Sequence, residues 1–330
     1  MRRLILIALG VLVLLGGADA LAWAWATARL ARQLTAWEAA RRAQGWHVSH
    51  APPRRAGFPL TASLILPRWR VSVPLGPARA RWRAGRLVLT VPPLLPPRLI
   101  ARAKGGQRLS LPGLPVLRLR ASTLEAIFRL TLTGRPASAA LHLRALRTDP
   151  GTPAPGLAVA ALDARVTTPA HRLRLSARGV VLPKTRRWPL GRHIAKLGLR
   201  ARLRGTWPAR GAPAARLAAW RHDGGALRIA RLALHWGRLR AGLSARLRLD
   251  AALRPAGTAS LRLRNGAAAL DTLAANGAIT NDAALAAKAV LSLVSQGKPN
   301  ARITVPLVLR DGRLQALGVG VLTLPPLAPP

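Results

Sequence analysis

The sequence predicts a mainly β protein: an N-terminal transmembrane helix and a stalk helix, followed by a large antiparallel, curved β-sheet with a few short helices near the C-terminus. Three observations predict it. Leu4 to Ala28 is apolar except for Asp19 and follows Met1-Arg2-Arg3. From Trp46 onward, apolar and polar residues alternate in runs punctuated by Pro and Gly. In the last third, two stretches return to helical spacing between strand-like runs.

The apolar N-terminal stretch, as a helix, spans about 37 Å, enough to cross a bilayer with some tilt. Trp23 and Trp25 lie near its far end, where amphipathic rings favour the membrane–water interface. Ala18-Asp19-Ala20 has the small-x-small form of a cleavage site after the apolar core Leu4 to Leu15. The apolar run continues through Leu21 to Ala26, however, and a helical pattern follows directly, which favours a retained signal anchor over 1–28. Arg2 and Arg3 set the N-terminus inside, against Arg29, Arg32, Arg41 and Arg42 beyond the span. The expected location is a single-pass bacterial inner-membrane protein with its bulk in the periplasm. Over residues 29–45 a stalk helix is expected, with Leu30, Leu34 and Trp37 on one face and Gly45 as its stop.

Residues 46–330 read as one β-rich domain. Leu60, Ala62, Leu64 and Leu66 alternate with Thr61, Ser63 and Ile65, and Trp69, Val71 and Val73 with Arg68, Arg70 and Ser72. Arg79, Arg81 and Arg83 alternate with Ala80, Trp82 and Ala84. Pro74, Pro77, Gly85, Gly105-Gly106 and Pro112 predict frequent breaks and hence many short strands. Leu130-Thr-Leu-Thr, Leu141 to Leu146, Leu173-Arg-Leu-Ser and Leu199 to Arg204 continue the theme. The stretch from Asp149 to Gly156 carries three prolines and two glycines. It marks either a lobe boundary near 150–156 or one long loop. Ala212 to Asp223 reads as a helix ended by Gly224-Gly225. Ala226 to Trp236, Leu239 to Asp250 and Thr258 to Arg264 form a meander, with turns at Gly237 and at Arg254 to Gly257. Helices follow over Ala267 to Ala275 and Asp282 to Gln296, the second with Asp282 as N-cap. Asp311-Gly312 predicts a hairpin between Ala301–Leu309 and Arg313–Leu317, because both central residues of that turn need positive φ. The terminal Leu324 to Pro330 reads as extended.

Composition excludes more than it identifies. There is no Cys, so disulfides, thiolate metal sites and cysteine nucleophiles are excluded. The net charge of +43 invites a nucleic-acid reading. Lysine accounts for only five of the 53 cations, the arginines are spread along the whole chain, and Tyr is missing with Phe only at 58 and 128. Few stacking platforms remain, so nucleic acid is not expected as a partner. Solvated strand faces, attraction to anionic headgroups or the bias of GC-rich codons, which supply Arg, Ala, Leu, Gly and Pro, account for the charge.

His235-Trp236-Gly237, Leu239, Asp250, Pro255, Gly257, Asp311-Gly312-Arg313 and Leu324-Pro-Pro-Leu327 resemble the bacterial family called domain of unknown function 2125. Gly45-Trp46 and Gly57-Phe58-Pro59-Leu60 at the front end fit as well. The resemblance implies an anchored envelope protein with no assigned reaction and no site residues to carry over. The meander, helices and terminal hairpin are also loosely similar in architecture to AsmA-like envelope proteins, whose long curved sheets carry lipid in an apolar groove. With about 300 of its 330 residues beyond the anchor, this chain would form only a short trough.

No catalytic constellation stands out. Acids are few and scattered, most at turn or cap positions, and no Gly-x-Ser-x-Gly, P-loop or His-Glu-x-x-His occurs. His47 and His50 have a chelating separation but follow Gly45 without a neighbouring carboxylate, so no metal is expected. Neither enzyme activity nor a cofactor is expected. The expected activity is a binding or scaffold module, holding phospholipid or another apolar envelope component on an apolar face that includes Leu227, Ile229, Leu232 and Leu234. The alternative is a purely structural or protein-interaction role with a closed core. Protein partners are not specified by the sequence.

Overall fold

In the computed structural model the first helix, α1 (Arg2–Arg42), runs unbroken through residues 28 and 29. It ends at Gly45 (φ +80°), where the Trp46 N–H reaches the Arg41 carbonyl (3.0 Å) and the Gly45 N–H that of Arg42 (2.9 Å). This is the glycine-ended C-terminal motif that satisfies otherwise orphaned carbonyls. The residues described are 2–59, 61–75, 78–92, 97–113, 116–131, 136–149, 155–168, 171–184, 188–208, 212–276, 285, 288–289, 303–316 and 319–323, with side chains for most of them from Gly17 onward. The chain divides into two compact units, Met1–Pro155 and Gly156–Pro330. That division falls inside the Pro-rich stretch 149–156.

In unit 1, α1 precedes eight strands: β1 (His47–Ser49), β2 (Arg54–Ala56), β3 (Ala62–Leu75), β4 (Ala78–Val91), β5 (Arg98–Ser110), β6 (Leu117–Arg120), β7 (Thr123–Leu130) and β8 (Pro136–Thr148). All pair antiparallel. β3 lies between β4 on one side and β1 with β2 on the other, while β5 pairs β4, β6 and β7, and β8 pairs β6 and β7. Thr27, Leu30, Leu34 and Glu38 recur every three or four residues and face β3; Thr27, Leu30 and Glu38 are buried. Trp37 lies off that face at 37% exposed, edge-on to Trp46. Beneath the helix, Leu64, Leu66, Trp69, Leu87, Leu89 and Ala103 form a dry core. Burying a leucine fully contributes about 1.5–3 kcal/mol.

The strands are longer than the expected short pieces: β3 and β4 have 14 residues each. The apolar side switches from Leu64 and Leu66 to Trp69 and Val71 within one strand, because Arg68 takes a left-handed conformation (φ +52°). Arg68 faces Gly85, and a register shift to β5 follows beside Gly105 (φ +83°). A Cβ on Gly85 would meet the Lys104 carbonyl oxygen at 3.2 Å. These glycines therefore mark a kink across three strands rather than breaks between them.

Unit 2 is a meander: β9 (Ala158–Thr167), β10 (Arg172–Val181), β11 (His193–Arg204), α2 (Pro213–His222), β12 (Ala226–Trp236), β13 (Leu239–Leu249), β14 (Pro255–Arg264), α3 (Gly266–Ala275), β15 (Ile303–Arg310), β16 (Arg313–Ala316) and β17 (Val319–Thr323). Each strand pairs antiparallel with its sequence neighbours. Asp311 (φ +52°) and Gly312 (φ +72°) make the expected two-residue turn, with Arg310 opposite Arg313. The turn before β14 falls earlier than expected, because the Asp250 carboxylate accepts the Arg254 N–H at 2.8 Å and β14 already begins at Pro255. α2 seats Trp220 on the β11 end, its indole donating to the Arg204 carbonyl at 2.8 Å. Of the expected helix Asp282–Gln296, residues 285, 288 and 289 are helical; the rest, and Leu324–Pro330, lie outside the described residues.

Candidate functional site

The four apolar residues expected on one face of β12 do share it, although Leu227 and Ile229 are odd-numbered and Leu232 and Leu234 even. A bulge between Ile229 and Leu232 absorbs one residue and restores the face. The registers then lay apolar rows across four strands. Leu227 lies between Leu203 and Leu247, and Ile229 between Ala201 and Ala245. Leu232 lies between Leu199 and Leu243, and Leu234 between Leu197 and Ala241. Leu173 and Leu175 extend the rows onto β10.

This face is incompletely covered. Ala177 and Ala245 are buried, the leucines of β10 to β13 are only partly buried, with Leu243 packed against the Ile303 cluster, and Val166 on β9 is 41% exposed. Coverage improves toward the other end. There Leu270 of α3 packs with Ile303, Val305 and Leu307, each below 10% exposed. A sheet with one apolar face is ordinary when another layer covers it. Partly buried leucines across four strands leave room for a further apolar surface.

The reverse face of the same strands is cationic. Arg165, Arg174, Arg200 and Arg231 lie directly opposite one another across four strands. So do Arg172, Arg202, Arg228 and Arg246. A third row runs Arg178, Lys196, His235, Arg240 and Arg264. Like charges directly opposed in a sheet are mutually destabilising. His235 registers this: burial, then the charges of Arg240, Lys196 and Arg231, hold its pKa below the usual imidazole value. These cations project from the side opposite the leucines, so they cannot touch an apolar ligand lying on the leucine rows.

At the other end of the chain, Arg2 and Arg3 lie in the first turn of α1. Trp23 stacks edge-on against Phe58 (5.7 Å between centroids) and its indole makes a long hydrogen bond to the Ala56 carbonyl (3.4 Å). Trp25 points outward at 60% exposed, with the Arg29 guanidinium over its ring. Helix residues from Trp23 onward are therefore docked on unit 1. No helix among the described residues is long and apolar enough to cross a membrane; the side chains of residues 2–16 lie outside them.

Sequence reading missed a polar cluster at the helix seam. The buried Glu38 carboxylate accepts from Arg42 (2.8 Å) and meets Nε2 of His50 (2.7 Å), whose Nδ1 donates to the Ala51 carbonyl (2.7 Å). His50 also stacks on Trp69. The helical period that exposes Leu30 and Leu34 as core-facing also contains Glu38, but nothing in the sequence brings His50 to it. His47 lies apart, accepting at Nδ1 from Arg79 (2.6 Å). Among the described residues, no three His, Asp or Glu side chains gather as a metal site requires.

The family described as "Uncharacterized protein conserved in bacteria (DUF2125)" matches residues 23–325. No curated protein and no solved structure matches the chain. The match spans nearly all of both units, and the chain belongs to this family.

Proposed function

We propose that this family member is a membrane-tethered, periplasmic binding module whose unit 2 holds the hydrocarbon part of a lipid on the leucine rows of β10 to β13. The observation that carries this reading is the incomplete burial of those rows in register across four strands. Each CH₂ group removed from water there contributes about 0.8 kcal/mol. The headgroup extends past the strand ends, because the cationic rows occupy the other side of the sheet. The tether is the N-terminal helix. With Trp23 docked on unit 1, Leu4 to Ala22 remain for the bilayer, a length of about 28 Å as a helix. Arg2 and Arg3 anchor its inner end, and the outward-facing Trp25 and Leu21 sit at the outer interface.

A structural role is the second reading, favoured by the dry packing of Ile303, Val305 and Leu307 under α3. Native mass spectrometry of the full chain, extracted from bacterial membranes in mild detergent, separates the two. Co-purifying phospholipid near one equivalent, lost in a Leu232→Asp/Leu234→Asp variant that keeps its circular dichroism, is the expected result. A ligand-free mass in repeated preparations would rule out the lipid module and leave the scaffold.

A further inference from the structure

A separate site lies in unit 1, on the face of β3 to β6 turned away from α1. Arg70, Arg83, Arg108 and Arg118 stand directly opposite one another across four adjacent strands. One step along, Arg81 lies between Ser72 and Ser110, and Ser49 lies opposite Arg70. The edge of this array is concave. A pocket of about 340 Å³ is lined by His47, Ser49, Arg70, Ser72, Arg81 and Arg83, with Arg79 at its rim.

Two features separate this array from a merely solvated basic face. First, the rim is fixed. Arg79 donates to the Ser72 hydroxyl (3.1 Å), the Gly45 carbonyl (2.6 Å) and Nδ1 of His47 (2.6 Å). Because a guanidinium only donates, Nδ1 must accept, and the neutral His47 ring carries its proton on Nε2 as a further donor. Second, the same sheet places acids opposite arginines elsewhere. Arg102 pairs with Glu125 directly across from it (2.5 Å), and Arg120 with Asp149 (2.8 Å). Among the described residues, no carboxylate pairs with Arg70, Arg81, Arg83, Arg108 or Arg118. The array thus offers guanidinium forks, two hydroxyls and an imidazole N–H, and an anion from outside would relieve its mutual repulsion.

We propose that the Arg70–Arg81–Arg83 pocket binds a phosphate-bearing anion of at least two charges, of pyrophosphate or phosphomonoester-headgroup chemistry. Guanidinium forks match phosphate oxygens two at a time, and serines complete the shell. This site shares no residue with the leucine rows, so its fate is independent of the lipid reading.

The test is isothermal titration of the full chain in detergent, at about 150 mM salt to screen diffuse attraction, with inorganic pyrophosphate and with dihexanoyl phosphatidic acid. At least one probe is expected to bind one-to-one with Kd below about 100 µM. Arg83→Gln and Arg70→Gln are each expected to weaken it about tenfold, the worth of one charge-assisted contact. Arg200→Gln, in a cationic row of unit 2, is expected to leave it within about twofold. Tighter binding of pyrophosphate identifies a soluble ligand, and tighter binding of the short-chain lipid a headgroup. Failure of both probes to bind below about 5 mM, or equal losses in Arg83→Gln and Arg200→Gln, overturns the proposal.

Discussion

Unit 1 and unit 2 are built from the same kind of strand, with leucine and alanine alternating with arginine, yet they cover their apolar faces differently. In unit 1 the amphipathic half of α1 lies along β3, and Leu64 and Leu66 are at most 1% exposed. In unit 2 the buried apolar residues include Ala177, Trp220 and Ala245 besides Ile303, Val305 and Leu307, which meet Leu270 of α3. The leucines on β10 to β13 are only partly buried. Alternation alone therefore makes a face, and a covering layer makes a core. The lesson is that the same pattern becomes core under a covering layer and surface beyond it, in unit 1 as well, where Phe128 and Leu141 continue the face onto β7 and β8 and are 39% and 36% exposed.

Paired truncations give the sharpest test of that difference. Leu66→Ala in unit 1 is expected to cost about 3 kcal/mol, and Leu234→Ala in unit 2 about 1 kcal/mol, in urea unfolding followed by tryptophan fluorescence. Equal losses would mean that the leucine rows of unit 2 are covered after all. The next effect in size concerns the seam that holds α1 down. Glu38→Gln removes the charge that Arg42 and His50 share and is expected to cost about 2 kcal/mol. It should also speed hydrogen exchange at Leu30 and Leu34; unchanged exchange there would show that apolar contacts alone seat the helix.

The smallest expected effect distinguishes the units by pH. His235 has its pKa lowered by burial and by Arg240, Lys196 and Arg231. The folded state thus disfavours its proton. Stability from this group is present above its unfolded value of about 6.5 and is lost as pH falls through the lower folded value. Unfolding measured between about pH 7.5 and 5 should weaken with acid, and His235→Asn should flatten that part of the slope. An unchanged slope would remove His235 as its source.

Much of the fold was legible along the chain. The helical period of Leu30 and Leu34, the Gly45 stop and the Asp311-Gly312 turn each follow from local geometry. The strand patterns from Leu173 to Arg264 also needed no knowledge of neighbours. The failures have a common cause. Arg68 shifts an apolar pattern by one residue, which reads along a sequence as a break between strands. Gly85 and Gly105 read as turn residues, although they sit inside the sheet, where a Cβ on Gly85 would press on the Lys104 carbonyl oxygen and Gly105 takes a positive φ.

The sequence by itself determined the antiparallel, mainly β class, the helix ahead of it, and which residues of each strand share a face. Those are local properties, set by a period of two or 3.6 and by turn residues with positive φ. Only the tertiary structure decided which strands are neighbours, and so which arginines stand opposite one another in rows. It also brought Glu38 to His50 and put a helix over one leucine face while leaving another only partly buried. Contacts between distant residues depend on register and on the covering layer, and alternation specifies neither.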